Sequence, residues 1–263
     1  MSADHLRKSD TDEIELNLLI EKAAVFATLP ETTPLVEIQR HLNELLSFIP
    51  KDISLTNLAN LAVLLFESRD EITVKHISRT GDILRMVGEE YLQRGLPSVG
   101  LDTPEEWQAL GILHDFGKIT WPDSMFMNTE DLSKEKLALV RSHSAWSWYI
   151  LEKFENTQGI LLPSLEHHER MDGKGYPRKL QGEENSFLGQ VMAICDVFEA
   201  RTGFRRYNHR MSSADATEAL VKGEMGSFSQ EALDFVLPLL RCEDYPCIAA
   251  DVIERLNALT AEE

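Results

Sequence analysis

Apolar residues recur three and four positions apart through most of the chain, the spacing of an amphipathic helix. The runs EIELNLLIEKAAVFATL, ending at Leu29, and LTNLANLAVLLF, Leu55 to Phe66, show it most clearly. No convincing alternation of a strand is found, so the pattern predicts an all-α fold. Thr33–Pro34 reads as an N-cap followed by proline at the first helical position. Thr103–Pro104–Glu105–Glu106 repeats that signal and adds a capping-box glutamate. Ser133 opens a helix through KEKLALVRSHSAWSWYILEKF, and Ser212 opens a shorter one. Breaks fall at Pro30–Pro34, Pro50–Ser54, Gly95–Thr103, Pro122–Ser133, Asp172–Gly182 and Gly223–Ser229. The first 68 residues read as three short helices with little chemistry, which puts a boundary near Ser68. A helical module over 1–68 then precedes a main domain over 69–263. The module is regulatory, dimerising, or an extension packed on the main domain.

Composition keeps the chain among ordinary globular proteins. It has 263 residues, 43% hydrophobic and 27% charged, enough for a full core. The apolar run Leu61 to Phe66 is far short of the ~20 residues of a membrane span. The polar start MSADHLRKSDTDE lacks the apolar stretch of a secretory signal. Cys195, Cys242 and Cys247 form no CxxC pair, which suits a reducing, cytoplasmic setting. The net charge of −18 argues against binding a nucleic-acid polymer or an anionic membrane. Between Arg170 and Arg210, however, eight basic residues face five acidic ones. Such a basic island suggests a site for a small anion, or a chance cluster on a solvated face.

Eight histidines are scattered along the chain: His5, His41, His76, His114, His143, His167, His168 and His209. A histidine taken singly is more often a surface or core residue than a ligand. The arrangement says more. His114 is followed by Asp115 in GILHDFGK, His167 and His168 are adjacent in LEHHERMDGKGYP, and Asp196 follows an apolar run in VMAICDVFEA. Helical neighbours point about 100° apart, so such a pair can reach two metals, or one metal and a bridging position. A buried aspartate amid apolar flanks is costly unless paired or metal-bound. Imidazole with carboxylate and no thiolate suits iron, manganese or a similar metal.

HDFGK, HHERMDGKGYP and AICDVFEARTGFRRY together resemble the HD-GYP family, a branch of the HD-domain metal phosphohydrolases. The string HHExxDGxGYP stands in full from His167 to Pro177, and the resemblance runs from about Thr73 to Leu220 and beyond. It implies an all-α helical HD-domain bundle behind an N-terminal helical extension. It also implies hydrolysis of cyclic di-GMP to pGpG and in some members to GMP, at a centre of iron or manganese. On the family pattern His76, His114, Asp115, His143, His167, His168 and Asp196 are the metal ligands, with Asp115 bridging. Members with three metals carry a glutamate four residues before the first histidine; here that residue is Ile72, so two divalent ions are expected. Lys118 matches the lysine on the scissile phosphate, Gly175, Tyr176 and Pro177 the loop beside the substrate, and Arg205 an arginine that reaches it. The stretch EARTGFRRY departs from the usual DALT-x-x-RPY: Arg201 replaces leucine and Arg206 proline. Asn208 stands where a lysine can help bind substrate, and WPDSMFMNTEDL lacks the usual Lys-Pro-Gly.

The resemblance therefore implies a cyclic-dinucleotide phosphodiesterase, with Asp115 and Lys118 as catalytic residues. A hydroxide bridging the two metals would attack phosphorus in line with the leaving ribose oxygen. Two alternatives stay open. One is a non-catalytic relative that binds the nucleotide or a protein signalling partner; the other is a phosphodiesterase for another cyclic dinucleotide, such as cyclic GMP-AMP. A homodimer is open too, since family members often pair.

Overall fold

The structure, a computed structural model, describes residues 10–126, 133–203 and 210–241. Among these residues every regular element is a helix. The helices are α1 (Asp10–Thr28), α2 (Leu35–Leu46), α3 (Leu55–Glu67), α4 (Glu71–Gln93), α5 (Pro104–Leu113) and α6 (Asp123–Phe126). They continue as α7 (Lys134–Arg141), α8 (His143–Leu151), α9 (Gln158–Glu166), α10 (Phe187–Thr202), α11 (Ser213–Val221) and α12 (Gln230–Leu240). A 3-10 turn, Phe116–Thr120, follows α5. No strand forms among the described residues; a single antiparallel bridge joins Asp172 to Gln181. The all-α expectation holds. None of the described helices is long and apolar enough to cross a membrane.

Thr103, Ser133 and Ser212 cap their helices as the sequence predicts, and Glu106 completes the capping box. Thr33 does not. Pro34 has an extended ψ of 141°, so α2 starts at Leu35 and Thr33 lies too far upstream to reach its free amides. Its hydroxyl donates instead to the Pro30 carbonyl at 2.6 Å. The stretch after Ser133 also differs from expectation, being two helices. They part at Ser142, whose amide is shared among the carbonyls of Ala138, Leu139 and Val140. The Ser142 hydroxyl adds a bond to the Leu139 carbonyl at 2.7 Å, a local competitor to helix continuation. The predicted break at Pro122–Ser133 contains the four-residue α6.

One apolar cluster runs from Leu19 to Leu240 and includes the fully buried Phe26, Phe66, Trp107, Phe116 and Phe198. Phe66 of α3 meets Phe116 edge-on at 6.4 Å. The Arg69 guanidinium donates to the carbonyls of Ile119 and Trp121 at 2.7 and 2.5 Å, and to Asp123. α4 and α5 approach closely because glycines line the contact. A Cβ on Gly111 would stand 2.6 Å from the Gly81 Cα, and one on Gly88 2.3 Å from the Trp107 ring. α10 is buried without interruption from Leu188 to Asp196. The polar groups that follow are thus carried into the interior by rigid helices.

Candidate metal centre

Five elements converge on one buried cluster. α4 supplies His76, and α10 supplies Asp196. His114 ends α5, and Asp115 precedes the 3-10 turn. His143 begins α8; His167 and His168 follow α9. The turn after Asp115 fits against α8 only because residue 117 is glycine. A Cβ there would lie 2.0 Å from the His143 carbonyl oxygen. The Gly117 amide donates to the Ser147 hydroxyl at 2.8 Å, which gives the small residue four places after His143 a definite task.

Two separate triads could each hold a cation, His76, His114 and Asp196, and His143, His167 and His168; a third group, His114, Asp115 and His167, spans them. Asp115 lies between them. Its Oδ2 is 3.4 Å from His76 Nε2 and 3.3 Å from His114 Nε2. Its Oδ1 is 3.1 Å from His143 Nε2 and 3.8 Å from His167 Nε2. One carboxylate therefore turns one oxygen to each triad. All seven of these predicted residues are brought together.

Hydrogen bonds at the outer nitrogens set the direction of the rings. The Nδ1 atoms of His114, His143 and His167 donate to the carbonyls of Gly111, Val140 and Ser164 at 2.8, 2.5 and 2.7 Å. His76 Nδ1 is 2.5 Å from Glu199 Oε2. An acceptor at Nδ1 requires the proton there, so the Nε2 lone pair faces inward. The Nε2 atoms of His143 and His167 lie 3.2 Å apart, and those of His143 and His168 3.1 Å apart. Converging lone pairs repel unless a cation or proton sits among them. His114 Nε2 and Asp115 Oδ1 are buried with no aligned hydrogen-bond partner, although oppositely charged atoms are close. Orphaned inward donors of this kind, all nitrogen and oxygen, fit a divalent transition metal.

The electrostatics divide the cluster: the two carboxylates are held anionic, His167 and His168 are kept neutral, and His76 and His114 are drawn toward the protonated form, with which a cation would compete. Burial would raise Asp115, but Lys118, His114 and His143 hold it well below the usual carboxylate range. Burial also opposes ionisation of Asp196, which His114 and His76 overcome. His167 and His168 are pushed well below the ordinary imidazole value by burial and by neighbouring imidazoles. His76 is desolvated too, but Glu199, with Asp115 and Asp196, raises it to about 10.

Lys118 Nζ sits 2.5 Å from Asp115 Oδ2 and remains partly exposed. The Tyr176 ring lies on His168, centroids 4.5 Å apart and planes 25° apart, while the Arg141 guanidinium stands 5.3 Å from the Tyr176 centroid. The ring is held between a stacked imidazole and a guanidinium. Gly175 passes so near Glu169 that a Cβ would be 2.5 Å from its Cα, and Gly173 has φ of +74°. Pro177 follows in the same loop, and Arg205 lies outside the described residues. Three of the eight residues of the basic island have partners close by. Arg170 is half-buried and donates to the carbonyls of His167 and Glu169, Lys174 pairs with Asp172 at the surface, and Arg178 with Glu166.

Three glutamates were not singled out from the sequence. Glu169 accepts the backbone amides of Arg178, Lys179 and Leu180 at 2.6, 3.1 and 3.0 Å, pinning the loop that carries Tyr176. Glu166 accepts from Ser186 Oγ at 2.5 Å, tying α9 to the start of α10. Glu199 holds His76. Its only sequence signal is its place three residues after Asp196, on the same helical face.

Residues 97–226 match the family model of the HD domain. Within the matched stretch, His167–Pro177 carry the HHExxDGxGYP string on which the resemblance to the HD-GYP branch of HD-domain proteins rests. HD domains bind divalent metal, and the clustered imidazoles and carboxylates are this chain's candidate sites. A cyclic di-GMP phosphodiesterase of Vibrio cholerae is 32% identical over 76% of this chain and 41% of the relative. A 3'3'-cGAMP-specific phosphodiesterase of the same organism is 25% identical over 63% and 38%. A solved HDG"Y"P protein from Bdellovibrio bacteriovorus aligns over 88% of this chain and 71% of its own, with 17% identity and a TM-score of 0.48. The chain spans less than half the length of the curated relatives it matches.

Proposed function

We propose that this chain is a metal-dependent phosphodiesterase that hydrolyses cyclic di-GMP to pGpG, with GMP as the product of a second cut. The reading rests above all on Asp115, one oxygen toward each histidine triad. Two ions of iron or manganese suit such donors. His76, His114 and Asp196 would hold one; His143, His167 and His168 the other; Asp115 would bridge them. Bound there, the cations supply Lewis-acid activation of water and neutralise charge on the phosphoryl oxygens. The protein's own groups do the rest. Asp115 and Asp196 balance the cationic charge, and the acceptors at Nδ1 keep the imidazoles aimed inward. Lys118 offers a mobile positive charge to a non-bridging phosphate oxygen as negative charge builds there. The loop of Gly175, Tyr176 and Pro177, held by Glu169, walls the substrate, and Arg205 reaches it on the family pattern.

Residues 1–68 are read as an extension packed on an HD-GYP domain over 69–263. Phe66 edge-on to Phe116, and Gln39 Nε2 donating to the Tyr149 hydroxyl at 2.9 Å, support that reading. A cytoplasmic location fits the substrate and the sparse cysteines.

The test is turnover by the full chain loaded with manganese or ferrous iron. Cyclic di-GMP should be cleaved, and Asp115→Ala should fall to the blank. Preference for 3'3'-cGAMP would move the substrate assignment toward the second group of relatives. Binding without cleavage of either would make the protein a non-catalytic receptor.

A further inference from the structure

We infer that Glu199 is a positioning residue for one half of the metal centre. It orients His76, sharpens its inward nitrogen as a ligand, and leaves the opposite triad unaffected. The inference rests on the two-ion reading above.

The two oxygens of Glu199 have separate tasks. Oε2 is 2.5 Å from His76 Nδ1, and Oε1 is 3.2 Å from Arg79 Nη1. The carboxylate is buried, with 2% of its side chain exposed, so water screens neither contact. His114, His143 and His167 use neutral backbone carbonyls at the same nitrogen. His76 has a full negative charge there. A carboxylate acceptor pulls the Nδ1 proton toward itself and makes the opposite nitrogen more basic, hence a tighter metal ligand. Arg79 fixes the orientation of that carboxylate. The end of α10 leaves room for it: a Cβ on Gly203 would lie 2.0 Å from Glu199 Oε1 and 2.7 Å from its carbonyl oxygen. Any larger residue at 203 must displace the carboxylate. The opposite triad shares none of these contacts, so weakening should be confined to one ion.

The experiment loads the full chain with manganese, counts the bound ions, and follows their loss to a chelator in wild type and E199Q. One of two ions should leave E199Q about 10–100-fold faster, with the other at the wild-type rate. Unchanged loss of both ions overturns the inference. So does equal acceleration of both, which is the sign of a general loosening. Gly203→Ala keeps every ionisable group and repeats the test should E199Q fail to fold; the same ion should be lost faster. A wild type that never holds two ions overturns the two-ion reading and this inference together. A two-ion wild type with an unaltered E199Q overturns this inference alone.

Discussion

Asp115 is the residue on which the centre turns, because its oxygens divide between two sets of imidazoles. Asp115→Asn keeps the volume but removes the charge that balances two cations. Both ions should then bind more weakly, by about 10-fold or more each; metal content after dialysis checks it. His76 differs, since its loss should empty one triad only. The gathering of these seven side chains was legible in the sequence because the family motifs fix residue type and local spacing together. Glu199 was not, because its contact with His76 spans 123 residues and exists only once α4 and α10 pack. Part of the basic island has internal partners, hidden from the sequence for a related reason. A charge count cannot see that Arg170, Lys174 and Arg178 spend their charge on Glu166, Asp172 and buried carbonyls.

Elements place these residues, and their packing can be tested apart from the chemistry. The α4–α5 contact needs Gly111, where a Cβ would meet the Gly81 backbone at 2.6 Å. Backbone cannot move aside as a side chain does, so Gly111→Ala should lower stability by about 1–3 kcal/mol. Thermal unfolding of the metal-free protein would show it. The loop holding Tyr176 depends on three amides bound to the Glu169 carboxylate. Glu169→Gln replaces charged acceptors with a single neutral one and should cost about 1–3 kcal/mol locally. Amide hydrogen exchange at 178–180 should quicken, and KM for cyclic di-GMP should rise more than kcat falls. Helix starts at Thr103, Ser133 and Ser212 were readable because their caps are local. The division at Ser142 was not, since apolar spacing continues across it while one amide is shared among three carbonyls.

The whole molecule couples the centre to the fold. The candidate ligands come from five helices and turns joined by one apolar core, so a cation bound in the native state would have no matching site in the unfolded chain. Metal should stabilise by mass action, by about 4 kcal/mol at a thousandfold excess over its dissociation constant. Chelation should lower the thermal midpoint, and added manganese should restore it. The most direct measurement is cyclic di-GMP hydrolysis by the full chain as manganese is returned to the stripped protein. Activity should be absent without metal, rise as ions are bound, level at two per chain, and stay absent in Asp115→Ala. Cleavage that persists in the stripped protein or in Asp115→Ala would contradict the account, as would a two-ion protein that cleaves no cyclic dinucleotide.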